Sequence, residues 1–458
     1  AGGVYAMKKS GLMTEGSIPE KILLFSIPLL LGNFFQLMYN TIDSVVVGNF
    51  IGSTALAAVG ASTPIINFMI AFFQGLATGA GVIVSRYYGA RNKDKVEKSV
   101  HTFIVFSFLF GGFLTITGYL LAPYVLEWMN TPTDTFAQAE AYLQIYFLGN
   151  IFVTLYNAGT GILQSVGDAR TPLIILIISS IINIFLDIFF VHTLQMQVQG
   201  AALATILCQC ISMVAVLGIL LRRKTEYQLK PSRLKIHLET LLEIIRIGVP
   251  AGLQGMVVSV SNVIVMTYIN GFGSASVAGF SSANKFDNFL GLPVNSFALA
   301  ITTFISQNLG AKKYDRVKQG VRTTLCMSIG TVTALGVFIF LFSDTCIGFF
   351  SSDPEVIAAG SRCIRIMCPF YFALCFHQVY SGVLRASGRS SVPMITSILA
   401  FVVIRQIFLA VTLKVFHDIT VIGLGYSLTW CLAAGFTAFY YFKSNWLQSE
   451  IKKGENVC

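Results

Sequence analysis

Of the 21 acidic residues in this chain, only Asp43, Asp187 and Asp287 fall well inside long apolar stretches, where an unpaired carboxylate costs several kcal/mol. A carboxylate placed there binds a cation, holds a proton or pairs with a buried base. Asn183 precedes Asp187 by about one helical turn, so a helix projects both from one face. Thr205 lies in the next apolar stretch. At about 1.5 Å rise per residue, Asp187 stands roughly 22 Å beyond Pro172, Thr205 roughly 8 Å beyond Gly200, and Asp43 well beyond Pro28. All three then share one half of a membrane. Two carboxylates, an amide carbonyl and a hydroxyl form an all-oxygen set suited to a hard cation such as Na+, whereas thiols or imidazoles would indicate a transition metal. Two close acids in a low dielectric can instead share a proton, so H+ is the other candidate ion. A competing reading makes Asp43 and Asp187 braces of a helix bundle, bonded to Asn40, Asn183 or backbone. Thr205 alone carries little, because a membrane threonine more often bonds its own backbone or a neighbouring helix.

The elements that must position these groups are membrane helices. With 458 residues, 55% of them hydrophobic and 11% charged, and a mean hydropathy of +0.72, the chain is too apolar to keep its surface in water. Twelve apolar spans are each long enough to cross about 30 Å of hydrocarbon: 22–48, 55–80, 100–121, 141–163, 172–192, 200–221, 241–270, 275–301, 321–343, 364–384, 393–415 and 421–442. Residues 1–21 form an N-terminal segment, 222–240 a polar linker and 443–458 a tail. Ala1 to Ala6, ahead of Met7, carry no functional signal and read as a remnant; no cleavable signal is evident.

The two halves repeat. One fixed offset carries Gly52-Ser53 to Gly273-Ser274, Gly89-Ala90 to Gly310-Ala311, Leu163 to Leu384, Gly167 to Gly388 and Pro172 to Pro393, while Pro28 and Pro250 are one residue out. Glycine permits the turn after one helix and proline suits the first turn of the next. Because each half holds an even number of spans, both enter from the same face. The expected fold is an all-α membrane protein, twelve transmembrane helices in two six-helix parallel repeats around a central cleft, with an N-lobe at 22–221 and a C-lobe at 241–442.

The net charge of +10 does not point to nucleic acid, because the bases are sorted by loop. Of the 31 Lys and Arg residues, Arg362, Arg365 and Lys414 fall on one face, Lys285 and Arg405 fall inside spans, and all the others fall on the opposite face. That positive-inside pattern predicts a multi-pass plasma-membrane protein with both termini cytoplasmic, and puts Asp43, Asp187 and Thr205 in the outer half. The basic loops then contact lipid headgroups. The nine cysteines have no metal-ligand spacing; Cys346 and Cys363 flank one outer loop and are the only pair considered for a disulfide. No glycine-rich phosphate loop is present, which argues against an ATP-driven pump.

Asn33, Gln36 and Asn40 in the first span, with Asn67 and Gln74 in the second, have helical spacing and either line a wet cavity or join helices. Pro28 and Pro64 are candidate bends. In the second half the offset replaces Asn183 by Ile404 and Asp187 by Phe408, and Asp43 by Ile264 or Val265. What remains there is Lys285, Asp287 and Arg405, near the midplane. These residues either form a buried ion pair, Asp287 with Arg405 or Lys285, or face the cleft to gate it or meet an anionic group.

Several local sequences together resemble the multidrug and toxic compound extrusion (MATE) family over nearly the whole chain. They are Pro28 with Asn40-Thr-Ile-Asp43, the Gly-Ala turns, Leu163-Gln-Ser-Val-Gly-Asp-Ala-Arg-Thr-Pro172 and Leu384-Arg-Ala-Ser-Gly-Arg-Ser-Ser-Val-Pro393. The resemblance implies an N-lobe cation site like that of the NorM and DinF branches, mapped onto Asp43, Asn183, Asp187 and Thr205. NorM-type acids in the seventh and tenth spans have no match here, which puts a second such site in doubt. The implied protein is no enzyme and needs no cofactor beyond a coupling Na+ or H+ and no metal beyond Na+. It would be a monomeric secondary active exporter of amphipathic, cationic organic compounds, with membrane lipids as its other partners. An alternative on the same fold is a flippase or exporter of a lipid-linked or anionic metabolite, motivated by Lys285 and Arg405. A non-transporting receptor would require an appended binding domain.

Overall fold

The computed structural model describes residues 12–129, 131–416 and 418–455. The segment ahead of Met7 and the last residues of the tail lie outside them. Hydrocarbon offers backbone groups no partner, so the apolar stretches bond internally as helices; among the described residues there is no β-strand. The first half comprises α1 (Ile18–Phe50), α2 (Ser53–Gly89), α3 (Lys93–Trp128), α4 (Thr133–Leu148), α5 (Asn150–Ser165), α6 (Arg170–Asp187) and α7 (Gln197–Arg222). The second comprises α8 (Leu238–Asn270), α9 (Ser274–Gly310), α10 (Tyr314–Leu341), the short α11 (Ser343–Gly348), α12 (Pro354–Met367), α13 (Tyr371–Ala386), α14 (Ser391–Ser397), α15 (Arg405–Val415), α16 (Thr420–Lys443) and the terminal α17 (Trp446–Glu455).

Among the described residues, eleven helices are long and apolar enough to cross a membrane. The twelfth expected span, 141–163, is divided between α4 and α5 by a tight turn, in which Gly149 N–H bonds Tyr146 O at 3.1 Å and Phe152 N–H bonds Gly149 O at 2.9 Å. The twelve-helix, two-repeat architecture is therefore present.

The repeated turns have equivalent geometry, with one correction. After α5 and α13, Gly167 and Gly388 adopt φ of 88° and 80°. The next residues close the turns, Asp168 N–H to Leu163 O at 2.9 Å and Arg389 N–H to Leu384 O at 2.8 Å. After α2 and α9, however, Gly89 and Gly310 are still helical. The left-handed residues are Arg91 and Lys312, each at φ 56°. Asn92 already caps α3 by accepting from Lys95 N–H at 3.1 Å, so the chain must reverse in the one residue before it.

The described residues divide into two compact units: residue 12 with 31–248, and residues 13–30 with 249–455. Both divisions fall inside helices, α1 and α8, each close to an internal proline, Pro28 and Pro250. In the first unit, the start of α8 packs backbone to backbone on α2. A Cβ at Gly79 would lie 2.5 Å from Gly248 N and 2.6 Å from Ile244 O. Small residues give membrane helices this approach. The core of this unit joins Val46 and Val47 of α1, Ala55, Ala58 and Val59 of α2, Tyr142 and Leu143 of α4, and Ala201 and Ala202 of α7.

The polar connection between α7 and α8 is strapped to the first unit rather than hanging free. Glu97 pairs with Lys230 at 2.9 Å and Arg233 at 2.6 Å, Lys230 N–H bonds His101 Nε2 at 2.9 Å, and Arg223 pairs with Asp168 at 2.6 Å. The segment before α1 is held by the second unit in a comparable way. Met13 N–H bonds Gln307 Oε1 at 2.8 Å, and Arg316 donates to Gly16 O at 2.9 Å. Cys346 and Cys363 are both free thiols.

Candidate cation site

Asp43 of α1, Asn183 and Asp187 of α6, and Thr205 of α7 all belong to the first unit. Asp187 is 0% exposed, Asn183 1% and Thr205 7%. Asn183 and Asp187 share one face of α6, as their spacing requires, and Asp187 is the last residue before the helix opens into a π-helical segment, Ile188–Thr193. Such segments loosen the backbone ladder and are frequent at functional positions. Asp43 and Asp187 are close enough to repel each other electrostatically.

The hydrogen bonding of this cluster is incomplete. Both carboxylate oxygens of Asp187, Oδ1 of Asp43 and Nδ2 of Asn183 are buried without a hydrogen-bond partner. Other buried polar atoms here also lack partners, Asn150 Nδ2 and Gln209 Oε1 among them, but an uncompensated buried carboxylate is among the costliest kinds. Neither oxygen of Asp187 makes the bond to Asn40, Asn183 or backbone that a bracing role would use. Carboxylate oxygens left without protein donors are what a hard cation or a shared proton would satisfy.

Two residues that sequence reasoning missed complete the surroundings. Tyr39 donates to Thr205 Oγ1 at 3.1 Å, and Tyr39 and Tyr142 both interact electrostatically with Asp43 and Asp187. Tyr39 was findable, lying one helical turn before Asp43 on the same face. Tyr142, from α4, had no local signal. Because the Tyr39 hydroxyl fixes the orientation of Thr205, Tyr39→Phe is expected to shift the half-saturating cation concentration a few-fold, the scale of one lost hydrogen bond of about 1 kcal/mol. Stability should change little. Transport measured against cation concentration checks both.

The other first-half candidates form a separate, accessible set. Asn33, Asn40, Asn67 and Gln74 are exposed and Gln36 partly so. Gln36 donates to Asn40 Oδ1 at 3.4 Å within the same helix.

In the second unit, the expected buried ion pair is not formed. Asp287 accepts from the Tyr371 hydroxyl. Arg405, 2% exposed, donates through Nε and Nη2 to Thr429 Oγ1 at 3.1 and 3.0 Å, and through Nη1 to Asn262 Oδ1 at 3.4 Å. Its guanidinium also lies over the rings of Tyr426 and Phe401, at 4.2 and 4.9 Å. Asp287 and Arg405 interact at longer range without direct contact. Lys285 is exposed and sits over the Phe350 ring at 4.1 Å. A neutral donor at Asp287, neutral acceptors at Arg405 and ring faces at both bases partner each group locally, without direct contact between the charges. Arg405 is buried and bonded within the second unit, and of the two cations that motivated an anionic cargo only Lys285 remains accessible.

The repeat register also needs correcting. In the second half a π-helical segment, Ile398–Ile404, precedes α15, whereas in the first half the π segment follows α6. Each π turn absorbs one extra residue. The alternation of buried and accessible residues through Ser179, Asn183 and Asp187 recurs at Phe401, Arg405 and Leu409. The true mates of Asn183 and Asp187 are thus Arg405 and Leu409, not Ile404 and Phe408. Neither mate is a carboxylate, and the asymmetry between the halves stands.

Two parallel six-helix repeats with buried, unsatisfied carboxylates define a membrane transporter rather than an enzyme. A sequence model of the MatE family matches residues 28–189 and 250–411, one match in each repeat. The chain belongs to the MATE family of transporters. It is 27% identical to "Probable multidrug resistance protein YoeA" of Bacillus subtilis (strain 168) over 96% of each chain. It is 29% identical to "Probable multidrug resistance protein YpnP" of the same organism, over 94% of this chain and 97% of that one. The solved structure described as "Crystal structure of MATE in the bent conformation" shares the fold, with a TM-score of 0.89 at 23% identity over 97% of this chain and 99% of that one.

Proposed function

We propose that this protein is a secondary active multidrug exporter that moves amphipathic, cationic organic compounds outward in exchange for inward Na+ or H+. The observation that carries the coupling is the set of unsatisfied buried oxygens on Asp43 and Asp187. These two carboxylates bind the coupling ion, with Asn183 and Thr205 as neutral ligands. Ion binding replaces mutual repulsion by shared coordination and so changes the packing of α1, α6 and α7, which provides the differential contact that coupling requires. The multidrug resistance names of the Bacillus relatives support the cargo class. The distribution of bases supports insertion in the plasma membrane with both termini cytoplasmic.

The test is efflux of a fluorescent organic cation from proteoliposomes under a Na+ gradient and a pH gradient imposed separately. Efflux driven by one of them, and lost when that gradient is collapsed, is the expected result and names the ion. Failure under both gradients across a broad panel of organic cations would overturn the reading.

A further inference from the structure

We propose that Arg405 is a tethered cation. Its guanidinium occupies, in the second unit, the place that the first unit keeps open for an exchangeable ion, so that only the first unit exchanges a cation during transport. The inference rests on the reading of the first unit as the coupling site.

The internal repeat carries the argument. With the register set by burial, Arg405 is the mate of Asn183. Its partners are mates of first-unit residues as well. Asn262 stands to Asn40 as Pro250 stands to Pro28, while Tyr426 and Thr429 stand to Thr205 and Cys208 by the offset that joins Gly167 to Gly388. The two carboxylates of the first unit are replaced by aliphatic residues, Asp43 by Val265 and Asp187 by Leu409, both 0% exposed.

The chemistry of the second-unit cluster is that of a cation site already filled. Thr429 directs its hydroxyl proton back to Gly425 O at 2.8 Å and turns its lone pairs toward Arg405. Asn262 presents Oδ1 to both Arg405 and the Tyr426 hydroxyl, which donates to it at 3.3 Å. Asp287 on α9 supplies the negative charge that Arg405 balances at longer range. Remove the guanidinium, and the Asn262 amide carbonyl and the Thr429 hydroxyl remain, with the Asp287 carboxylate at longer range, which is hard-cation chemistry again. A guanidinium is always charged and covalently held, so such a site cannot release its cation and cannot contribute to coupling.

The experiment uses the full chain carrying Asp43→Asn and Asp187→Asn, which silences the first unit. Melting midpoints are read in NaCl and in choline chloride at equal ionic strength. This parent should respond to both salts alike. Adding Arg405→Ala should lower the midpoint in choline and create a Na+-specific rise of about 2 °C or more at about ten times Kd, whereas Arg405→Lys should leave the parent's indifference unchanged. Adding Asp287→Asn to Arg405→Ala should restore the midpoint in choline and remove the Na+ response, because no carboxylate is left to balance. The proposal is overturned if Arg405→Ala shows no Na+-specific shift. It is equally overturned if Asp287→Asn fails to rescue, a readout that holds even where Arg405→Ala alone does not fold. Gradient-driven transport retained by the parent would count instead against the first-unit reading.

Discussion

Asp187→Asn should abolish cation-driven efflux while leaving the protein as stable as before, or more stable. The carboxylate is fully buried, both its oxygens lack hydrogen-bond partners, and Asp43 stands close enough to repel it. Its ionised form is thus a standing cost in the empty protein, and the neutral amide removes that cost. The same change removes a charge from the proposed coordination sphere. Losing one member of a buried charge pair costs about 3 kcal/mol or more, or about 100-fold in cation affinity. Asp43→Asn should act in the same direction. Proteoliposome efflux and thermal unfolding, measured on the same preparations, separate the two effects. If the carboxylates were braces, stability would fall and transport would fall only in proportion. Full gradient-driven efflux by both variants would remove Asp43 and Asp187 from the mechanism.

Gly79→Val is the substitution expected to damage the fold most. The new Cβ would meet Gly248 N at 2.5 Å and Ile244 O at 2.6 Å. Both are backbone atoms, so no side chain can rotate aside, and α2 must part from the first turns of α8. The cost lies at the upper end of the about 1–3 kcal/mol typical of overpacking, or above it. The yield of monodisperse protein should drop, and the melting midpoint should fall by several degrees. Gly112→Val is the control, because a Cβ at Gly112 has no atom within 4 Å. Equal behaviour of the two variants in size-exclusion and melting experiments would show that the α2–α8 contact is not needed for folding.

The helices and their doubling were legible because hydrocarbon imposes local rules. A long apolar stretch must bond its own backbone, and repeated Gly and Pro at helix ends mark repeated turns. Asp43 and Asp187 were legible for the same reason, since a carboxylate is rarely placed in such a stretch without a role. Asn183 followed from helical spacing and Thr205 from depth. Tyr142 was not legible, because its place beside the carboxylates depends on how α4 packs. Nor was the left-handed conformation of Arg91 and Lys312, where glycine two positions earlier looked the natural choice.

The mates of Asn183 and Asp187 lay beyond the sequence for a more specific reason. A linear offset assumes that every turn holds the same number of residues. The π segment at Ile398–Ile404 holds one more, and a single added residue rotates every later side chain by about 100°. That rotation turns Arg405, rather than Ile404, onto Thr429 and Asn262. The sequence by itself determined that two six-helix repeats carry acids in one half and not in the other, because the cost of burying a charge or an unbonded backbone depends on residue type and span length. Only the tertiary structure decided which polar atoms are satisfied. Asp187 is left without a hydrogen bond and Arg405 is surrounded by partners, because hydrogen bonding depends on how closely segments far apart in the chain approach and on the face each helix turns toward its neighbours.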